Sequence, residues 1–145
     1  MPIVEIQTPT LNGELEAKYV DPAGNGLPNI VRVTESFSID ASWYIDGTFA
    51  PLLGGTWYLQ ATFQSADDVQ GEFFQPVPPI AVTLDGRSGS ATPYTASIPL
   101  TGTFDLNGRD SQVYDVAVTL TYHDVAGNPG PMAAFVDMDK LMVYA

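Results

Sequence analysis

One histidine, His123, is the chain's whole supply of imidazole, so any serine–histidine–acid relay would have to pass through it. It stands beside the turn residue Asp124, at the end of an alternating stretch. That position favours a solvated strand terminus over a general base. No Gly-x-Ser-x-Gly elbow is present, and Gly86-Arg87-Ser88-Gly89 reads as a flexible turn without strand-to-helix context. Phosphate-cradling glycine loops are absent as well. With no cysteine, thiol nucleophiles, thiolate metal sites and disulfides are all excluded. Seventeen acids leave room for a carboxylate pair of the glycosidase kind. Yet Asp67, Asp68, Asp137 and Asp139 lie beside turns or on an edge strand, where charge solubilises and blocks further pairing. The sequence therefore marks no catalytic residue.

Two kinds of binding chemistry remain. Asp105, Asn107 and Asp110 set hard oxygen ligands around Gly108, the pattern of a structural calcium turn. It lacks a third acid and a closing glutamate, and a plain turn explains it as well. No other cofactor is implied. The second kind is aromatic. Tyr44 and Tyr58 fall on the polar phase of two tryptophan-bearing strands, with Asp40 and Gln60 nearby in phase. If those strands are neighbours, the two rings form one platform for a sugar or a protein. Phe49, Leu52 and Leu53 add apolar loop surface, as does Phe73-Phe74 before the proline-rich run Gln75 to Pro79. Such residues either cap the ends of a sandwich or meet a partner.

The elements that must position these groups are strands. Phe37, Ile39, Ala41, Trp43 and Ile45 alternate with polar residues, and Trp57, Leu59, Ala61 and Phe63 repeat the pattern. Ile80 to Leu84, Tyr94 to Leu100 and Tyr114 to Tyr122 alternate too. Weaker signals mark Ile3 to Thr8, Leu15 to Val20, Asn29 to Val33 and Met132 to Tyr144. No sustained 3.6-residue period occurs, and the 13 glycines and 12 prolines punctuate the apolar stretches. One face wet and one dry calls for two stacked antiparallel sheets. The expectation is a single all-β domain over residues 1–145, a two-sheet antiparallel sandwich, with a jelly roll the nearest alternative.

Two motifs sharpen that expectation. Leu106-Asn107-Gly108-Arg109-Asp110-Ser111-Gln112-Val113-Tyr114-Asp115-Val116 resembles the entry to strand F of immunoglobulin-like domains. Tyr122 to Asn128, with Asp124-Val125-Ala126-Gly127-Asn128, resembles a turn of bacterial immunoglobulin-like repeats. The resemblance implies a tyrosine corner, in which the Tyr114 ring is buried and its hydroxyl ties down the preceding turn. Val116 stands where many members carry a disulfide cysteine, and Trp43 is the candidate for the core tryptophan of strand C.

A net charge of −12 at 45% apolar composition describes a folded chain that repels phosphate backbones, so nucleic acid is an unlikely partner class. The N-terminal stretch has neither the basic nor the apolar region of a signal peptide, and no apolar run is long enough to span a membrane. A cytoplasmic protein, or one exported without an N-terminal signal, is expected. Without catalytic residues and with excess apolar loop surface, the sequence reads as a structural or interaction protein. It would dock into a bacterial multi-protein or homomeric assembly through a protein partner or its own copies. A carbohydrate-binding module using Tyr44 and Tyr58 is the alternative, and a two-carboxylate hydrolase stands behind both.

Overall fold

Period two in the sequence becomes alternating burial along every long strand whose two faces are described. The computed structural model describes residues 12–20, 29–47, 50–65, 75–100, 104, 106, 108 and 110–145. Among them, nine strands form: β1 (Asn12–Val20), β2 (Ile30–Arg32), β3 (Ser38–Asp46), β4 (Thr56–Ser65), β5 (Ile80–Thr83), β6 (Tyr94–Pro99), β7 (Ser111–His123), β8 (Pro129–Asp137) and β9 (Leu141–Tyr144). Among the described residues the one helical element is a single 3-10 turn, Ala50–Leu52. The expected strand at Ile3 to Thr8 lies outside the described residues.

Three strands, β1-β3-β6, make the smaller sheet, entirely antiparallel. The larger sheet runs β2-β9-β7-β4-β5, with β8 also paired to β7. The antiparallel expectation needs one correction, because β2 joins β9 in parallel, Val31 facing Val143. The long strand read at Met132 to Tyr144 also divides. Its first part, β8, flanks β7 from Ala117 to His123, and its second, β9, flanks β7 from Ser111 to Tyr114. Both serve one edge of β7, and Met138 in the break still donates its N–H to Val116 O at 2.9 Å. Pro129 and Pro131 sit at the start of this edge strand, where the ladder shifts register between Thr121 and His123.

The two sheets bury one shared core. Near one end, Trp43 of the small sheet packs edge-on to Trp57 of the large one, with Tyr94 and Tyr122 completing the cluster. Near the other, Phe37, Phe63, Phe104 and Tyr114 interlock. Both tryptophans are buried, as their phase requires. They lie in different sheets. Trp57 lies on the strand that pairs with the Tyr114 strand, whereas Trp43 lies across the core in the other sheet.

Candidate functional site

Two surfaces stand out from the packed core. The first is the tip near the tryptophan cluster, built by the 3-10 turn and the β7–β8 turn. Leu52 is 77% exposed and Val125 85% exposed. They share this end because Val125 packs over Gly54, whose carbonyl accepts a 2.5 Å hydrogen bond from the Tyr122 hydroxyl. The β7–β8 turn is held by the Asp124 carboxylate, which accepts from the N–H groups of Ala126 and Asn128 at 3.0 and 2.9 Å. Gly55 makes the approach between the two loops possible. It has φ +116°, and a Cβ there would stand 2.2 Å from the carbonyl oxygen of His123.

The second surface is the outer face of the large sheet. Tyr58 lies there, and its ring meets His123 edge-to-face at 4.7 Å. Across the sheet, Tyr58 faces Thr121 and then Ala133, and Gln60 faces Thr119 and then Phe135. Phe135 is 70% exposed. Tyr44 is on β3, in the other sheet, so it points out of the opposite side of the sandwich. The single Tyr44–Tyr58 platform does not form, because consecutive tryptophan-bearing strands sit in different sheets. Asp40 goes with Tyr44, and its carboxylate accepts from the hydroxyls of Ser97 at 2.6 Å and Ser38 at 3.3 Å. Sequence reasoning missed Phe135, because Ala133-Ala134-Phe135-Val136 is apolar in both phases.

Of the calcium turn, Asp105 and Asn107 lie outside the described residues. Asp110 is exposed, and its carbonyl accepts from the N–H of Ala145 at 2.9 Å. Among the described residues no group of three or more acids or histidines gathers to hold a metal ion. Phe49, Phe73 and Phe74 also lie outside the described residues.

Catalytic geometry is sparse. His123 packs on Tyr58, and the neighbouring Asp124 carboxylate is engaged by its own turn. A cleft of about 210 Å³ at the corner where β1 meets β8 is floored by Trp43, Trp57 and Leu120, with Glu14 its one carboxylate. Glu16 and Asp40 share a shallow, open surface on β1 and β3, where Lys18 stands opposite Asp40. Tyr19 closes the far end of that corner. It donates a 2.6 Å hydrogen bond to Asp139 O, and burial, aided by the Asp139 carboxylate, pushes its phenol well above the ordinary tyrosine range.

No family model matches the chain, and no curated protein sequence matches it. Several solved structures are similar to it at low identity. A β-glucosidase from Listeria innocua in complex with gluconolactone is 15% identical with a TM-score of 0.47, covering 92% of this chain. The chain spans only 16% of that enzyme's length. The major subunit of the aggregative adherence fimbriae type I from Escherichia coli is 9% identical with a TM-score of 0.39, covering 92% of this chain and 95% of its own. Spo0M, a sporulation control protein from Bacillus subtilis, is 10% identical with a TM-score of 0.38, covering 92% and 49%. Likeness at this level carries neither activity nor partner.

Proposed function

We propose that this chain is a non-enzymatic, immunoglobulin-like interaction module, one sandwich over residues 1–145, that docks into a larger bacterial assembly through its apolar tip. The observation that carries this reading is the joint exposure of Leu52 and Val125 at one end of an otherwise well-packed core. Two large apolar side chains held out by a hydrogen-bonded turn and a 3-10 turn form an exposed patch that a protein contact would cover.

The immunoglobulin-like part is supported by strand order. β1, β3 and β6 take the places of strands A, B and E. β2, β9, β7, β4 and β5 take those of A′, G, F, C and C′, with A′ parallel to G. In this reading Trp57, not Trp43, is the strand-C tryptophan. Tyr114 keeps the corner position, buried against Phe63 and Phe104.

The module works without a cofactor, and its acidity turns it away from nucleic acid. No helix among the described residues is long and apolar enough to cross a membrane. Light scattering over a concentration series, with capture from the source lysate, tests the reading. Association or capture that falls on Leu52→Ser with Val125→Ser supports it. A strict monomer that captures nothing overturns it. A calcium-dependent rise in Tm, lost in Asp110→Asn, would overturn the cofactor-free part alone.

A further inference from the structure

The two outer faces of the sandwich differ in charge. On the small sheet, Glu14, Glu16 and Asp40 point outward beside Lys18. On the large sheet, the outward positions of β4 from Thr56 to Gln64 and of β7 from Ala117 to Thr121 carry no acid and no base. In a chain with 17 acids and a net charge of −12, that is a neutral stretch, bounded at one end by Asp137 opposite Ala117 and Asp115 opposite Gln64. It is also chemically uniform. Gln60, Thr62, Thr119 and Thr121 each offer both a donor and an acceptor. Two aromatic rings frame them, Phe135 at 70% exposure and Tyr58 braced by His123.

The register sets their spacing. Phe135 stands two strands across from Gln60, and Tyr58 lies two residues along from Gln60 on the same strand. With strands ~4.8 Å apart and a rise of ~3.4 Å per residue, the two rings stand about 12 Å apart on a diagonal. The hydroxyls of Thr119 and Thr121 lie between them. Thr119 leans towards the Gln60 carbonyl, 3.5 Å away, at the long limit of a hydrogen bond.

We propose that this face binds an uncharged polysaccharide, laid diagonally so that sugar rings pack on Phe135 and Tyr58 while their hydroxyls meet Gln60, Thr119 and Thr121. Each sugar hydroxyl both donates and accepts, and so does every polar group in the stretch. A pyranose presents an apolar C–H face that an exposed aromatic ring covers. The separation of the rings exceeds one sugar, so the ligand is a chain of two or more units. Neutrality completes the match, because a molecule this acidic repels anionic glycans everywhere else on its surface. A protein partner fits less well, since protein hot spots favour tryptophan, tyrosine and arginine and under-use threonine. The site is separate from the apolar tip, so the two readings fail independently.

Affinity electrophoresis in native gels tests the proposal, with laminarin, xyloglucan, hydroxyethyl cellulose and soluble starch as neutral probes and polygalacturonate as the anionic control. The expected result is retardation by at least one neutral glycan and none by polygalacturonate. Phe135→Ala and Tyr58→Ala each weaken retardation at least tenfold with circular dichroism unchanged, and Thr121→Val weakens it more modestly. Tyr44→Ala on the opposite face, and Leu52→Ser with Val125→Ser at the tip, leave retardation intact. Mobility unaffected by all four neutral glycans overturns the proposal. So does retardation that survives Phe135→Ala, or a Phe135→Ala variant that changes only self-association and thereby marks the face as a protein contact.

Discussion

At the scale of single residues, the structure separates side chains that fill the core from those that tie it together. Trp43 and Trp57 are each 2% exposed and pack on one another across the sheets. Trp43→Ala or Trp57→Ala should each cost about 3–5 kcal/mol in urea unfolding, the range for truncating a buried aromatic. A loss below about 1 kcal/mol would mean that the ring does not belong to the core. Tyr114 tests a different contribution. Its ring is buried between Phe63 and Phe104, so Tyr114→Phe keeps the packing and removes only the hydroxyl. A loss of about 1 kcal/mol is expected, and a neutral substitution would remove the tyrosine corner. Tyr19 packs in the core and also titrates. The folded state holds its proton more tightly than the unfolded chain, which releases it near the usual tyrosine value of about 10. Its contribution is therefore complete below pH ~10 and is lost as pH rises above that value. Stability measured from pH 9 upward should fall more steeply in the parent than in Tyr19→Phe.

At the scale of elements, the longest described pairing is β4 with β7, running from Thr56–His123 to Ser65–Tyr114. β7 is paired on both sides along most of its length and β4 on both sides over Thr56–Leu59, whereas β2 and β5 are short and lie at the two ends of their sheet. Hydrogen exchange should therefore protect the amides of β4 and the centre of β7 most, with β5 exchanging at least tenfold faster. Equal protection across the sheet would contradict this order of stabilities. The phases of these strands were legible in the sequence because period two is a local property. Trp43 and Trp57 had to point inward wherever their strands lay. Which strands neighbour each other is a property of long-range pairing and leaves no local trace. Tyr44 and Tyr58 therefore looked alike in sequence yet emerged on opposite sides. The same limit hid the parallel β2–β9 pair. It also hid the break at residues 138–140, where an edge can pass from one strand segment to the next while still serving the same neighbour. Phe135 was illegible for a third reason, since a run apolar in both phases does not say which side is wet.

At the scale of the whole molecule, charge is the dominant unbalanced quantity. A net −12 spread over a chain of 145 residues opposes compaction by self-repulsion, and salt relieves it. The screening length falls from about 30 Å at 0.01 M salt to about 3 Å at 1 M. Over that range the protein should gain stability, each kcal/mol raising Tm by about 2–4 °C for a domain near this size. Salting-out also strengthens apolar burial at high concentration, so salt dependence alone does not isolate the cause. A charge reversal does. Glu14 is exposed on β1, two residues from Glu16 on the same outward face and opposite Tyr44. Glu14→Lys replaces a repulsive neighbour with an attractive one on the small sheet's outer face. Its Tm should exceed the parent's at 0.01 M salt, and the two should converge at 1 M, where exposed charges no longer sense each other. An advantage that persists undiminished at 1 M would place the effect in packing at the β1–β8 corner rather than in the acidic surface.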